Sequence, residues 1–323
     1  MILLASCNSE ESKLVRRTQF IMGTLVEITL SEDDSEKNQQ AIDHAFDEMA
    51  RLESLMSTHL PDSEISKLNE QAGKGYTRLS PEVLHVIQSA IDWSQQTGGA
   101  FDISIGPVVK LWRFEDEKPT VPSPALIQQA LQAVDYKNIQ IDDVMVRLNN
   151  PGMALHLGAI AKGYAVDQAM AVLKNNGIQN AMINAGGDLT VIGTRELNKP
   201  WKIGLQHPRK PEKIIASFNL AEGSVATSGD YQRYFIHDKK RYHHILNPDN
   251  GKPARGLISA TVIAAKTMDA DALATGIFIM GAEKGMELIE SLEGAEAMLI
   301  LESGETLLSK NLQSESSFKL KGF

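Results

Sequence analysis

QNAMINAGGDLTVIG, residues 179–193, consists of two short apolar runs joined by Gly186-Gly187. A dinucleotide-binding loop needs GxGxxG after a strand, and then a helix. Here the run after the glycines, Asp188 to Ile192, is again short and β-branched, so a second strand follows and the dinucleotide reading fails. The glycines read as a tight turn between strands, with Asp188 just past it.

The segments around this turn repeat the pattern. WKIGLQ, IIASFNL, RYFIHD and ISATVIAA are short strand-like runs punctuated by Gly, Pro or Asn. Near the N-terminus, QFIMGTLVEITL (19–30) reads as one strand with Phe20, Met22, Thr24, Val26, Ile28 and Leu30 on one face. Ser35 opens a helix whose apolar positions Ile42, Ala45, Phe46, Met49, Leu52 and Met56 follow the 3.6 period. Ser80-Pro81 starts a second helix, with the hydroxyl as N-cap, and Gly98-Gly99 stops it; Ser123-Pro124 starts a shorter one. Ala161 to Asn176 is helical and closed by Gly177, and a last helix is expected from Met268 to Leu292. Helices and strands alternate without a βαβ beat, so the fold class is α+β with mixed strands and flanking helices. Residues 18–323 read as one domain behind a tether, 1–17.

A net charge of −9 argues against a nucleic-acid binder, and no apolar run reaches the roughly 18 residues of a membrane span. The single cysteine, Cys7, follows LLAS. That pattern resembles a bacterial lipobox, although only Met1 to Leu4 precede it in place of a basic and apolar leader. Lipidation of Cys7 is the expectation.

Three motifs carry chemistry, and a fourth excludes one. HLGAIAKGYAVD (156–167) puts small residues around Lys162 at a helix start, where amides and an ammonium suit a phosphate; a tight turn with a solvated lysine gives the same letters. In MDADALATG (268–276), Asp271 and Thr275 are i and i+4 on a helix, and their oxygens share a face fit for Mg²⁺ with a carbonyl and phosphate oxygens; acid favouring a helix N-terminus is the plainer alternative. YHHILNPDNG (242–251) holds adjacent histidines, which point to opposite sides of a strand and so cannot easily share a zinc. One facing a cleft as a general base and the other facing out is the economical arrangement. EGSVATSGD (222–230) lacks a GxSxG elbow, so a serine hydrolase is excluded.

The order of motifs is more specific than any one of them. FIMGT, STHLPDSEISKLN, AFDISIGPVVKLW, LGAIAKGYAVD, NAGGDL, ATSGDYQRYF, HHILNPDNGKPA and DADALATG together resemble the ApbE family of FAD:protein FMN transferases over residues 18–305. The resemblance implies a T-fold-like α+β domain with a flavin cleft. It also implies Mg²⁺-dependent cleavage of FAD, transfer of FMN to a Thr or Ser hydroxyl of a target flavoprotein, and release of AMP. By the same resemblance Met22 lies against the isoalloxazine, Ala100, Phe101 and Asp102 line the flavin side with Ile245 nearby, and Lys162 binds FAD. Ala159, through its carbonyl, joins Asp271 and Thr275 around Mg²⁺, and His244 is the base. Implied partners are flavoprotein subunits of membrane redox complexes. A lipid on Cys7 would then hold the enzyme at the periplasmic face of the inner membrane.

Three positions depart from the family pattern. His59 stands where tyrosine is usual, which bears on the balance between transfer and hydrolysis of FAD. His156 replaces an aspartate and removes an acceptor from the FAD pocket, and Asn247 replaces the aspartate of the turn after His244. The competing functions are a Mg²⁺-dependent FAD pyrophosphatase on the same site and a non-catalytic flavin-binding lipoprotein, which would need neither metal nor base.

Overall fold

The computed structural model describes residues 14–114, 118–195 and 199–322. Gly186 and Gly187 adopt φ of +62° and +108° and turn strand Ala181–Ala185 directly back on Asp188–Ile192. Positive φ at both central residues is what a type I′ hairpin turn demands, and glycine meets it without a Cβ clash.

That hairpin lies inside an 8-stranded sheet. In chain order the strands are β1 (Val15–Ile21), β2 (Thr24–Leu30), β3 (Ala181–Ala185), β4 (Asp188–Ile192) and β5 (Gly223–Gly229). After a separate hairpin of β6 (Tyr234–His237) and β7 (Lys240–His243) come β8 (Leu257–Ala264), β9 (Glu296–Leu301) and β10 (Thr306–Leu308). The spatial order is β1-β2-β3-β4-β5-β8-β9-β10, every neighbouring pair antiparallel. Antiparallel neighbours need no crossover helix, which is why the sequence lacks a βαβ beat.

Helices α1 (Glu36–Met56), α2 (Pro81–Gln96), α3 (Ala161–Asn175) and α4 (Thr267–Met280) gather against the sheet, with α5 (Ala282–Ser291) following. The predicted stripe of α1 is buried in full, from Ile42 to Met56, each large side chain contributing roughly 1.5–3 kcal/mol by leaving water. Ser35 accepts from the Asn38 amide as the expected N-cap. On the other face, strands Trp201–His207 and Lys210–Leu220 close a second cluster with Val191, Val225 and Ile300.

Four expectations are corrected and two strands are added. QFIMGTLVEITL is two strands, because Met22 and Gly23, at φ +55° and +70°, make a second two-residue turn, and Phe20 is left exposed rather than sharing the buried face of Val26, Ile28 and Leu30. β1 begins at Val15, so residues 15–17 belong to the sheet and not to a tether. Ser80 occupies the N-cap position, but its hydroxyl donates to Glu64 and does not cap the helix. The last helix breaks at Gly281, φ +84°, into α4 and α5. GSVATSG and EAMLIL are strands β5 and β9, which the sequence reading did not separate. Cys7 lies outside the described residues.

The helix crossing that builds the site depends on one glycine. A Cβ on Gly163 of α3 would lie 2.5 Å from the Thr267 carbonyl oxygen and 2.8 Å from Met268 Cα, both backbone atoms of α4. Gly163→Ala is therefore expected to push the helices apart and destabilise by about 1–3 kcal/mol, read as a lower midpoint in denaturant. An unchanged midpoint would mean the crossing is not tight.

Candidate active site

At this crossing α3 brings Lys162 and Gly163 against Asp271 of α4. The Gly163 amide donates to Asp271 Oδ2 at 3.2 Å, and Lys162 Nζ lies 3.6 Å from the same oxygen. Lys162 Nζ also forms an ion pair with Asp188, the residue just past the glycine turn, so the ammonium sits between two buried carboxylates. Burial pushes the Asp271 carboxyl up and the Lys162 ammonium down, each offset in part by the other's charge. One turn along α4, Thr275 Oγ1 shares a hydrogen bond of 3.0 Å with Ser228 of β5.

The entry to α4 is fixed from α3. Lys266, at the N-cap position, makes no side-chain cap; instead the Asp167 carboxylate accepts from the amides of Thr267 at 2.8 Å and Met268 at 3.0 Å. Behind it Ser224 bonds both Thr190 and Thr267, so a buried hydroxyl network ties α4 to β4 and β5.

The residues fit a hard cation. Asp271 and Thr275 offer a carboxylate and a hydroxyl on one helix face. Gly163 lies in the first turn of α3, where its amide has no carbonyl of the helix to bond, and the Asp271 carboxylate accepts from it. No cluster of three or more His, Cys, Asp or Glu side chains able to hold a metal occurs among the described residues. A hard cation held here would have few protein carboxylates and would need other oxygen ligands.

The two histidines have separate tasks. His243 is buried: its Nε2 lies 2.9 Å from the Ala254 carbonyl and its ring meets Phe278 edge-on. A carbonyl only accepts, so Nε2 carries the proton. The expectation that the second histidine faces outward is corrected, because this position of β7 points into the core. Burial holds His243 down to about 4. Since the unfolded chain takes up the proton first, its contribution is present above pH 6.5 and lost as pH falls toward 4. Stability should drop by about 3 kcal/mol or less over that window. In His243→Gln, which keeps a donor for Ala254, thermal melts should show a flatter profile; an identical slope would refute this assignment.

His244 leaves the strand and is half-buried. Its amide donates to the Arg233 carbonyl at 3.0 Å, and ring Nδ1 lies 3.3 Å from the same oxygen. That contact places the proton on Nδ1 and leaves Nε2 as an acceptor. Burial, with the adjoining His243 and the Arg233 guanidinium, pushes the imidazole down to about 3, and His156 adds to the effect. The Arg233 side chain donates to the Gly23 carbonyl at 3.2 Å, which ties the Met22-Gly23 turn to the same neighbourhood.

The remaining predicted residues are placed less uniformly. His156 is half-buried, and its Nδ1 accepts from the Gly158 amide at 3.3 Å. Ile245 is core, its carbonyl accepting from Ala254. Phe101 is buried beneath α4 near Gly276, and both Asp102 oxygens are taken by Ser104 and by the Tyr136 amide. Their side chains are turned to the interior, while Ala100 beside them is half-buried. His59 is exposed in the turn after α1, where its amide donates to the Ser57 hydroxyl at 3.3 Å. Asn247 accepts from the Asp249 amide at 2.7 Å, a role that a carboxylate fills equally. The sequence reading missed Asp188, Arg233, Ser228 and Asp167; the glycines before Asp188 were the one local signal.

Comparison with known proteins gives the same picture. The chain matches the ApbE family over residues 22–299. It is 33% identical over 303 residues to the FAD:protein FMN transferase of Klebsiella pneumoniae, with 93% of each chain covered. It is 30% identical over 305 residues to that of Treponema pallidum, covering 88% of this chain and 83% of the other. Among solved structures the ApbE protein of Thermotoga maritima aligns with a TM-score of 0.87 at 34% identity, over 94% of this chain and 99% of that one. The flavin transferase ApbE of Vibrio cholerae aligns at 0.83 and 28% identity, with 94% and 99% covered. The architecture is that of the ApbE flavin transferases. The chain belongs to the ApbE family.

Proposed function

We propose that this enzyme transfers the FMN half of FAD to a threonine or serine hydroxyl of a target flavoprotein, with Mg²⁺ bound, and releases AMP. The observation that carries the reading is the α3/α4 crossing, where Lys162 and the Gly163 amide meet Asp271, with Thr275 one turn further along α4. When bound, Mg²⁺ supplies neutralisation of the pyrophosphate charge. Asp271 and Thr275 would hold it with Ala159. Lys162, braced by Asp188, adds a second positive charge for the leaving AMP. The acceptor oxygen forms a bond to the FMN phosphorus as the bond to the AMP oxygen breaks, and the hydroxyl proton passes to His244 Nε2. The Arg233 carbonyl keeps that nitrogen unprotonated and oriented. Met22, held at the hairpin tip, is the residue assigned to the flavin ring.

AMP release from FAD and Mg²⁺, followed with and without a peptide bearing an Asp-Gly/Ser…Gly-Ala-Thr acceptor, tests this. Release that depends on the peptide supports transfer; equal release in its absence supports hydrolysis. A FAD pyrophosphatase would use the same groups with water as acceptor, and the exposed His59, in place of a tyrosine, is the feature that favours it.

The proposal extends to location: a lipid on Cys7 tethering the enzyme at the periplasmic face, beside membrane-bound redox flavoproteins. Among the described residues no helix is long and apolar enough to cross a membrane. The full chain is expected to partition into detergent, and Cys7→Ser to remain in water; equal partition would remove the tether.

A further inference from the structure

A cavity of about 480 Å³ opens between the β1–β2 and β6–β7 hairpins, lined by Phe20, Gly23, Phe114, Gln232, Arg233 and Tyr234. Its rim is apolar and exposed. Phe20 and its cross-strand partner Leu25 are 72% and 63% accessible, and Tyr234 and Ile236, on one face of β6, are 45% and 57% accessible. Single exposed apolar side chains are ordinary; several gathered around a concavity mark an interaction site.

The β6–β7 hairpin that forms one wall is basic, unlike the molecule as a whole. Residues 233–242 carry Arg233, Lys239, Lys240 and Arg241 against one carboxylate, Asp238, in a chain of net charge −9. Arg241 stands opposite Ile236 in register, and its guanidinium lies 3.8 Å from the Tyr234 ring centroid. A local basic patch on an acidic protein steers acidic partners to this place. Arg233 also joins the cavity to the chemistry, since its side chain reaches Gly23 on one wall and its carbonyl holds His244.

We infer that this cleft docks the acceptor polypeptide of the transfer reaction. The occupant is an extended segment that places an apolar side chain in the cavity and carboxylates near Lys239, Lys240 and Arg241, and so delivers its hydroxyl to His244. The inference rests on the transferase reading above. A concave cavity suits a side chain better than it suits the flat surface of a bilayer.

Phe20→Glu, Ile236→Asp and Lys239→Glu/Lys240→Glu test it, because all four side chains are exposed and none has been placed in the FAD or metal site. With saturating FAD, the KM for the acceptor peptide is expected to rise about tenfold or more, while the Kd for FAD by flavin fluorescence and the kcat stay as in the wild type. An unchanged peptide KM overturns the inference. So does a matching loss of FAD affinity, which would give the cavity to the flavin. Binding of the wild type to mixed phosphatidylcholine–phosphatidylglycerol vesicles, lost in the variants while peptide KM is unchanged, would give it to a membrane. If the wild type cleaves FAD and labels no peptide, the transferase reading itself fails and this surface falls with it.

Discussion

Asp271→Ala is expected to remove Mg²⁺-dependent turnover by about 10³-fold or more, while the protein stays folded. Asp271 accepts from the Gly163 amide and lies one turn before Thr275 on α4. Losing it leaves Lys162 paired with Asp188, so no buried charge is stranded and the fold should survive. Asp271→Asn is the sharper control. Its amide oxygen can still accept from Gly163, but the negative charge that attracts a divalent cation is gone. Both variants should fail to bind Mn²⁺ in a direct titration, a readout that does not require turnover. Full activity, or unchanged Mn²⁺ affinity, would sink the metal assignment.

His244→Ala is expected to slow transfer by about 10²–10⁴-fold, the usual contribution of a positioned general base. FAD affinity should change little, because the loss is made in the transition state and not in the ground state. In the free protein this imidazole is held down to about 3, so the acid limb of kcat/KM that depends on His244 should lie well below the usual histidine range. The negative pyrophosphate of bound FAD acts in the opposite direction and should move the limb of kcat upward. Equal losses of affinity and rate in the variant would make His244 a binding residue.

Where the chain spoke through local patterns, the sequence was enough. The glycines at 186–187 have one role, and they disclosed a strand-turn-strand unit that excludes a Rossmann loop. The α1 stripe and its Ser35 cap were legible for the same reason. The Met22-Gly23 turn was not, since methionine rarely accepts φ near +55° and gives no signal that it will. GSVATSG concealed a strand because its inward hydroxyls are satisfied only by Thr190, Thr261, Thr267 and Thr275 on other elements. The break at Gly281 fell in an otherwise helical run, where one glycine is often tolerated.

The site divides along the same line. The i, i+4 pairing of Asp271 and Thr275 is a local fact and could be read directly. The Asp188–Lys162 ion pair joins a β-turn to a helix start, and the Arg233 carbonyl reaches His244 across two hairpin strands. Pairings of that kind come from tertiary packing. The resemblance to the family carried the other site residues, and it could not foresee that Phe101 and Asp102 would turn inward here.

The most direct test of the account is the intact mass of an acceptor peptide after incubation with the enzyme, FAD and Mg²⁺. The account predicts a gain of one FMN unit, localised by fragmentation to the threonine, and no gain when Asp271→Asn replaces the wild type. A peptide of unchanged mass, in a reaction that has converted FAD to free FMN and AMP, would contradict it.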